Sequence, residues 1–181
     1  MGGQLDELIQ PSESIHPSES IEPSGPGSHF EDMSSRIFAL NAGLMHAIGF
    51  TGVEDYRPQE RCISLGFEVR AEFCHSGGRI AQGGFVTAWL DAAMAHAVFV
   101  ESGARENLAS LEIKVSFLAP VGPGKVIARS RIIRKGKRVA FLEASLFDAK
   151  GMHLASATST AMITSMAAQQ GSSEVSPVVL A

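Results

Sequence analysis

Alternating apolar and polar residues predict several β-strands. From Arg61 to Phe73 every second residue is apolar, which is typical of a half-buried strand. In LASLEIKVSFLAPV the odd positions from 109 to 117 share one predicted face, and Glu112, Lys114 and Ser116 share the other. KVIARSRII and VAFLEASLF follow, joined by a hairpin turn at RKGK, and DAKG leads into HLASATSTAMI. The second half of the chain therefore predicts three to four antiparallel strands in a meander.

Two segments have the composition of helices. Residues 33–50 carry apolar side chains at helical spacing. Residues 85–102 are rich in alanine, contain no proline or glycine, and are apolar nearly all round, so this helix is expected to be buried. A glycine-rich loop, HSGGRIAQGG, precedes it. The order predicts an α+β fold in which a curved antiparallel sheet wraps one long central helix, with an additional N-terminal helix.

The ends of the chain differ in composition from its middle. IQPSES, IHPSES and IEPSGP form a near-repeat rich in Pro, Ser and Glu, which buries too little apolar surface to offset the entropy cost of ordering. We predict a disordered tail over 1–32, a domain over 33–166 and a flexible tail over 167–181. A docking or phosphorylation segment is the alternative for the N-terminal repeat.

Charge and cysteine content restrict the class of protein. The 181 residues carry a formal net charge of -4, which argues against a nucleic-acid partner. No apolar run approaches the roughly 20 residues that span a bilayer, and MGGQLDELIQ lacks the features of a secretory signal, so no membrane association is expected. Cys62 and Cys74 have neither metal-ligand nor CxxC spacing, in keeping with a reducing compartment. The expected location is cytoplasmic.

Asp91 is the first acidic residue in the predicted central helix, and the next is Glu101. A buried carboxylate without a partner is energetically costly. Asp91 is therefore either a structural residue bonded to a neighbour or a general base or nucleophile activated by partial desolvation. The residue alone does not decide between these interpretations.

The pair Gly83–Gly84 directly precedes this helix, where backbone N–H groups have no intrahelical partner. A carbonyl bound to these amides would be stabilised as it becomes an oxyanion. Asp91 lies about 12 Å farther along the axis, so a shared site requires a substrate lying along the helix or a second subunit. The alternative is that the glycines only form a tight turn.

The segment RIAQGGFVTAWLDAAMAHA resembles the signature of PaaI-type acyl-CoA thioesterases of the hotdog superfamily: a polar loop, a GG pair at the helix start, and an acid some eight residues later. The resemblance extends over roughly residues 60 to 163. It implies the hotdog fold, with Asp91 as the catalytic carboxylate. The Gly83 amide, together with that of Gly84, would polarise the thioester carbonyl. Ser110 would position water or the carboxylate. It also implies a homodimer or homotetramer whose sites combine residues of two subunits.

The chain departs from this pattern at two substrate-binding positions. Gln82 stands where relatives have His before the GG pair, and Ser76 stands where they often have Asn. Glutamine can orient a substrate through hydrogen bonds, but it cannot titrate near neutral pH.

A basic cluster surrounds the RKGK turn. In relatives, basic residues here can hold coenzyme A phosphates, and the corresponding candidates are Arg131, Lys137 and Arg138. The alternative is a solvated hairpin tip. His96 is interpreted as a packed core histidine, and no His, Asp or Glu set has metal-ligand spacing, so no metal or cofactor is expected.

The prediction is hydrolysis of a medium-chain or aromatic acyl-CoA to the free acid and coenzyme A, with Asp91 as nucleophile or general base. The alternative is a non-catalytic acyl-CoA sensor or carrier on the same fold, which the changes at positions 82 and 76 would favour. A hydratase or dehydratase would be expected to have a different Asp–His loop pattern.

Overall fold

The computed structural model describes residues 27–166, with two N-terminal helices, a long central helix and a sheet. The elements are α1 (Gly27–Leu40), α2 (Ala42–Ala47), β1 (Phe50–Arg57), β2 (Cys62–Val69), a short 3-10 turn (Ala71–Phe73), β3 (Cys74–His75), β4 (Ile80–Ala81), α3 (Gly83–Glu101), β5 (Glu106–Phe117), β6 (Gly124–Lys135), β7 (Val139–Asp148) and β8 (His153–Ser165).

Six strands form one antiparallel sheet in the order β1-β2-β6-β7-β8-β5, and β3 pairs with β4 separately. Strands β6, β7 and β8 form the predicted meander around the RKGK turn. The meander prediction was wrong for β5, which pairs with β8 at the far edge. Strands β1 and β5 are therefore the two edges of the sheet.

The central helix α3 packs against the concave face of this sheet. Trp89, Leu90 and Ala93 of α3 are fully buried, as are Ile63 and Leu65 of β2. Alanines line β6 to β8 beneath the helix, and small side chains allow a helix to approach a sheet closely; they are Ala128, Ala140, Ala144, Ala155, Ala157 and Ala161. The predicted α+β architecture, a curved antiparallel sheet around a central helix, is confirmed.

The N-terminal region differs from its prediction in three ways. The predicted helix over 33–50 is two helices separated at Asn41, and α1 already begins at Gly27. Residues 51–57, for which no element was predicted, form strand β1 together with Phe50, which was predicted to be helical. The strand predicted up to Phe73 ends at Val69, followed by a 3-10 turn. The remainder of the predicted tails, 1–26 and 167–181, lies outside the described residues.

A β-bulge in β5 reverses the predicted faces of the residues that precede it, whereas Ile113 and Val115 keep theirs. The pairing with β8 shifts register between Ser110 and Glu112, so Leu111 is an extra residue on its strand. Leu108 before the bulge packs against the core, and Ile113 after it does the same. Leu111, predicted to share the face of Ile113, is instead 63% exposed. The bulge places Ser110 on the face that contacts α3.

Helix α3 is not buried all round, contrary to the prediction. Ala88, Asp91, Ala92 and Ala95 form a half-buried stripe at helical spacing along one side. The sheet covers the opposite side, and this stripe is only partly covered, by α2 and the beginning of β5. By length and composition α3 could span a membrane, but half of its apolar window is buried inside the fold, as expected of a core helix.

Candidate active site

Asp91 and Ser110 meet between α3 and β5. The Ser110 hydroxyl donates to Asp91 Oδ1 at 2.8 Å, and the carboxylate is half-buried. Asp91 Oδ2 has no hydrogen-bond or ion-pair partner among residues 27–166. One oxygen is thus held in place while the other is available to a substrate or a water molecule.

Asp91 opens onto a cavity of about 390 Å³, here named the Asp91 cavity. Helix α2 forms one wall, the half-buried stripe of α3 forms another, and the beginning of β5 and Met166, directly after β8, close it. Its lining is mainly apolar and comprises Asn41, Leu44, Met45, Ile48, Ala88, Asp91, Ala92, Ala95, His96, Phe99, Asn107 and Met166. An apolar cavity with a carboxylate on its wall is suited to an acyl group.

His96 also lines the Asp91 cavity, although the sequence suggested only a core role. Its Nδ1 lies 2.6 Å from the Ala92 carbonyl oxygen, and the side chain is 9% exposed. Burial lowers the pKa of His96, and this outweighs the Ala92 carbonyl and the Asp91 charge, both of which raise it. His96 is therefore neutral at physiological pH, with the proton on Nδ1 because a carbonyl can only accept.

The start of α3 presents one open backbone donor. The Gly84 N–H donates to Gln82 Oε1 at 2.5 Å, so the Gln82 side chain caps the helix and occupies that amide. The Gly83 N–H has no hydrogen-bond partner among the described residues. Of the two predicted oxyanion donors, Gly83 is the one left open in this conformation.

Gly83 opens onto a second cavity of about 400 Å³, here named the Gly83 groove. The Phe117 ring forms one side, and a Cβ built at Gly83 would lie 3.2 Å from its Cζ atom. Phe117 is 57% exposed and Leu118 beyond it is equally exposed. Glycine at position 83 thus allows an aromatic ring to lie directly beside the open amide.

Gly83 and Asp91 lie in different cavities of the same chain. Eight residues separate them on α3, about 12 Å along the axis. A carbonyl bonded to the Gly83 amide would lie too far from the Asp91 carboxylate of its own chain for attack. Of the predicted catalytic residues, Ser110 lies beside Asp91 within one chain, whereas Gly83 does not.

The remaining predicted binding residues are dispersed. Ser76 lies in the exposed β3–β4 loop with a φ of 56°, and its hydroxyl is 2.8 Å from His75 Nδ1. Arg131 bonds Glu143 through two guanidinium nitrogens, at 2.9 and 2.6 Å, in mid-strand rather than at the hairpin tip.

Lys137 and Arg138 at the hairpin tip are exposed and make no ion pair with any described residue. Lys137 lines a polar cavity at the C-terminal end of α3, next to Arg105 and Lys135. Lys135 is already neutralised there by Glu101 and Glu106.

Asn107 and Phe117, together with His96, line the two cavities and were not predicted to do so. Their surroundings are apolar core or strand, and nothing in the local sequence distinguishes them from packing residues. Within 27–166 no group of three His, Cys, Asp or Glu residues is placed to hold a metal. Burial raises the pKa of the Cys62 thiol to about 11, so this thiol is unreactive at neutral pH.

Comparison with known proteins agrees with this architecture. Residues 78–155 match the sequence model of the thioesterase superfamily. A protein of Saccharolobus solfataricus that is named as an esterase is 28% identical over 61% of this chain and 73% of its own length. A solved thioesterase superfamily protein is 27% identical with a TM-score of 0.65, over 74% of this chain and 97% of its own. A phenylacetic acid degradation-related protein from Ralstonia eutropha is 25% identical with a TM-score of 0.60. The match covers 70% of this chain and 98% of that protein.

The sheet wrapped around α3 is the hotdog fold, as the resemblance implied. The match over residues 78–155 and the relatives of 27–28% identity support a thioester hydrolase of this superfamily.

Proposed function

We propose that the protein hydrolyses acyl-CoA thioesters, with a medium-chain or aromatic acyl group, to the free acid and coenzyme A. The observation that carries this proposal is the Asp91 carboxylate, held at one oxygen by Ser110 and open at the other on an apolar cavity. The acyl group would occupy the Asp91 cavity. Asp91 Oδ2 would then attack the thioester carbon or take a proton from the water that attacks it.

The carbonyl oxygen needs a donor that Asp91's own chain does not supply. The Gly83 N–H is open, lies at the positive end of α3, and adjoins an apolar groove. Because about 12 Å separates it from Asp91 in one chain, we assign the two residues of one site to different subunits of a homodimer. Each dimer would contain two such sites.

The edge strand β5 supports this arrangement. It is 12 residues long, its outer edge has no partner strand in the described chain, and it connects the two cavities, with Asn107 near one end and Phe117 at the other. Long edge strands with exposed apolar residues pair readily with another chain. Leu111, Phe117 and Leu118 are more than half exposed here. Antiparallel pairing of two β5 strands would also cover the α3 stripe, and two such dimers would form a tetramer.

The leaving group would be recognised by the polar loop and by basic residues. Gln82 directly precedes Gly83, and Ser76 lies in the β3–β4 loop before it; both would contact the thioester or the pantetheine arm. Lys137 and Arg138 would bind phosphates, since neither has an ion-pair partner in the described chain. Arg131 would do so only by exchanging its Glu143 partner. The cytoplasmic location remains a prediction from the sequence.

A non-catalytic acyl-CoA sensor is the rival function. It is favoured by the Gln82 cap, which occupies the Gly84 amide and reduces the number of donors available to an oxyanion. The open Asp91 oxygen favours the enzyme.

The experiment is release of free thiol from a panel of acyl-CoA esters by the wild type and by Asp91→Asn. We expect turnover by the wild type and a loss of about 100-fold or more in kcat for Asp91→Asn, the range for a lost acid–base group. Glu60→Gln, in the exposed β1–β2 turn, is the matched control and should keep full activity. Binding of esters without turnover by the wild type would favour the sensor.

A further inference from the structure

Arg70, which directly follows β2, contacts two parts of the chain that the proposed reaction uses. Its guanidinium donates from Nη1 to the His46 carbonyl at 3.4 Å and from Nη2 to the Ala47 carbonyl at 3.1 Å. These are the last two carbonyls of α2, the helix that forms a wall of the Asp91 cavity. The same guanidinium lies over the Phe73 ring, 4.5 Å from its centroid.

Helix α2 depends on contacts of this kind. It has six residues, and isolated helices shorter than about 12 residues are marginal in water. Asn41, the residue before it, makes no side-chain cap. The last carbonyls of a helix lack the usual intrahelical donors, and Arg70 donates to two of those in α2. Arg70 therefore holds the C-terminal end of α2, beside Met45 and Ile48 of the cavity lining.

Phe73 connects Arg70 to the start of α3. Its side chain is 4% exposed and stacks on the Phe85 ring of α3, with centroids 4.3 Å apart and an interplanar angle of 26°. Its carbonyl oxygen accepts from the Gln82 N–H at 2.9 Å, and Gly83 is the next residue. The Phe73 N–H donates to the Arg70 carbonyl at 3.0 Å, which closes the 3-10 turn. The position of the Gly83 amide therefore depends on Phe73, and the position of Phe73 depends on Arg70.

We infer that Arg70 is a positioning residue that serves both sites of the proposed homodimer. The inference rests on the proposed function, in which the Asp91 cavity of one chain and the Gly83 amide of the same chain belong to different sites. Through α2, Arg70 holds a wall of the acyl cavity in its own subunit. Through Phe73, it holds the oxyanion donor that completes the site of the other subunit.

A lysine at position 70 would keep the charge but lose this geometry. Arg70 uses each of its three nitrogens separately, since Nε forms an ion pair with Glu72 at 2.8 Å while Nη1 and Nη2 donate to α2. The flat face of the guanidinium lies on Phe73 at the same time. An ammonium group is a single point of charge and cannot make all of these contacts together. Arg70→Lys therefore separates the positioning role from the charge.

The test places Arg70→Lys in one subunit at a time of a mixed dimer with a single working site. One full-length chain carries Asp91→Asn and the other carries Gly83→Pro, and hexanoyl-CoA is the substrate. In the chain that supplies Asp91, Arg70→Lys should raise KM about tenfold with little change in kcat, because it loosens the acyl cavity. In the chain that supplies Gly83, it should lower kcat about tenfold with little change in KM, because it displaces the oxyanion donor. Arg36→Lys, exposed on α1, is the matched control and should change neither constant in either chain.

The dependence on placement distinguishes a positioning role from a general loss of stability. A residue that only stabilises the fold would reduce activity equally in both placements, and thermal denaturation of each mixed dimer measures that effect separately. If the mixed dimer without Arg70→Lys is active but the two placements give the same kinetic constants, only this inference is overturned. If that dimer is itself inactive, the proposed shared site fails, and the inference fails with it.

Discussion

The Ser110 hydroxyl donates to Asp91 Oδ1 at 2.8 Å, joining the edge strand β5 to the central helix α3. This bond holds Oδ1 and leaves Oδ2 without a partner among the described residues. Ser110→Ala should lower kcat about 10- to 100-fold, the loss expected for a hydrogen bond to a charged group worth about 1.5–3 kcal/mol. KM should change little, since the bond does not contact the acyl group. Steady-state kinetics test this, with Ser116→Ala of the same strand as control; a larger effect on KM than on kcat would contradict a positioning role.

The contact between Ser110 and Asp91 depends on a feature that alternation alone cannot reveal. A strictly alternating β5 would place Ser110 with Glu112 and Lys114, away from α3. The extra residue at Leu111 shifts the strand by one position and brings Ser110 inward, while Ile113 stays in the core. Bulges depend on pairing with a partner strand, in this case β8, and that pairing is not visible in a single segment.

Other elements followed directly from local sequence. The long alanine-rich helix and the three strands of the meander have strong local patterns, and the structure confirms them. Strand β1 was missed because FTGVEDYR contains glycine and two acids and alternates poorly. It is held by pairing with β2 and by α1, where Ser34 Oγ accepts from the Val53 N–H at 2.8 Å. Such tertiary contacts override weak local propensity.

The site could be predicted only in part for a similar reason. The resemblance named Asp91, Gly83 and Ser110, and the structure brings Ser110 to Asp91. His96 was interpreted as a core residue because it is five positions from Asp91 in an apolar helix, and its place in the cavity depends on α2 and β5 closing around it. The role of Gly83 remains a prediction, because its groove and the Asp91 cavity are separate in one chain.

Replacing Gly83 by proline removes its N–H and is compatible with the fold. Gly83 is the first residue of α3, where proline is favoured, and Gln82 before it has φ −66° and ψ 136°, the conformation that precedes proline readily. We expect kcat to fall about 100- to 1,000-fold, as for loss of an oxyanion donor. Gly83→Ala adds the same contact with Phe117 but keeps the donor, so it should retain far more activity. Equal losses in the two variants would show that the groove's shape, rather than the amide, is responsible.

The neutral state of His96 predicts how stability depends on pH. Burial lowers the pKa of His96 in the folded chain, whereas in the unfolded chain it keeps its ordinary value of about 6.5. Below that pH the unfolded chain therefore binds a proton that the folded chain does not. The free energy of unfolding should therefore decrease as the pH falls below about 6.5. Above that pH the contribution of His96 to it is constant. His96→Leu removes this term, so the stability of the variant relative to wild type should improve between pH 7.5 and 5.5. Urea denaturation at both pH values tests this; an unchanged difference would contradict a buried neutral imidazole.

The most direct test of the account is complementation between two inactive variants, Asp91→Asn and Gly83→Pro, co-expressed with different affinity tags. If each site combines Asp91 of one subunit with Gly83 of the other, a mixed dimer contains one intact site. Random assembly should then restore about a quarter of wild-type activity, because half of the dimers are mixed and each has one working site of two. Thioester hydrolysis by the doubly purified mixed dimer at about half the wild-type rate would agree with the account. Mixed dimers that are as inactive as their parents would contradict it.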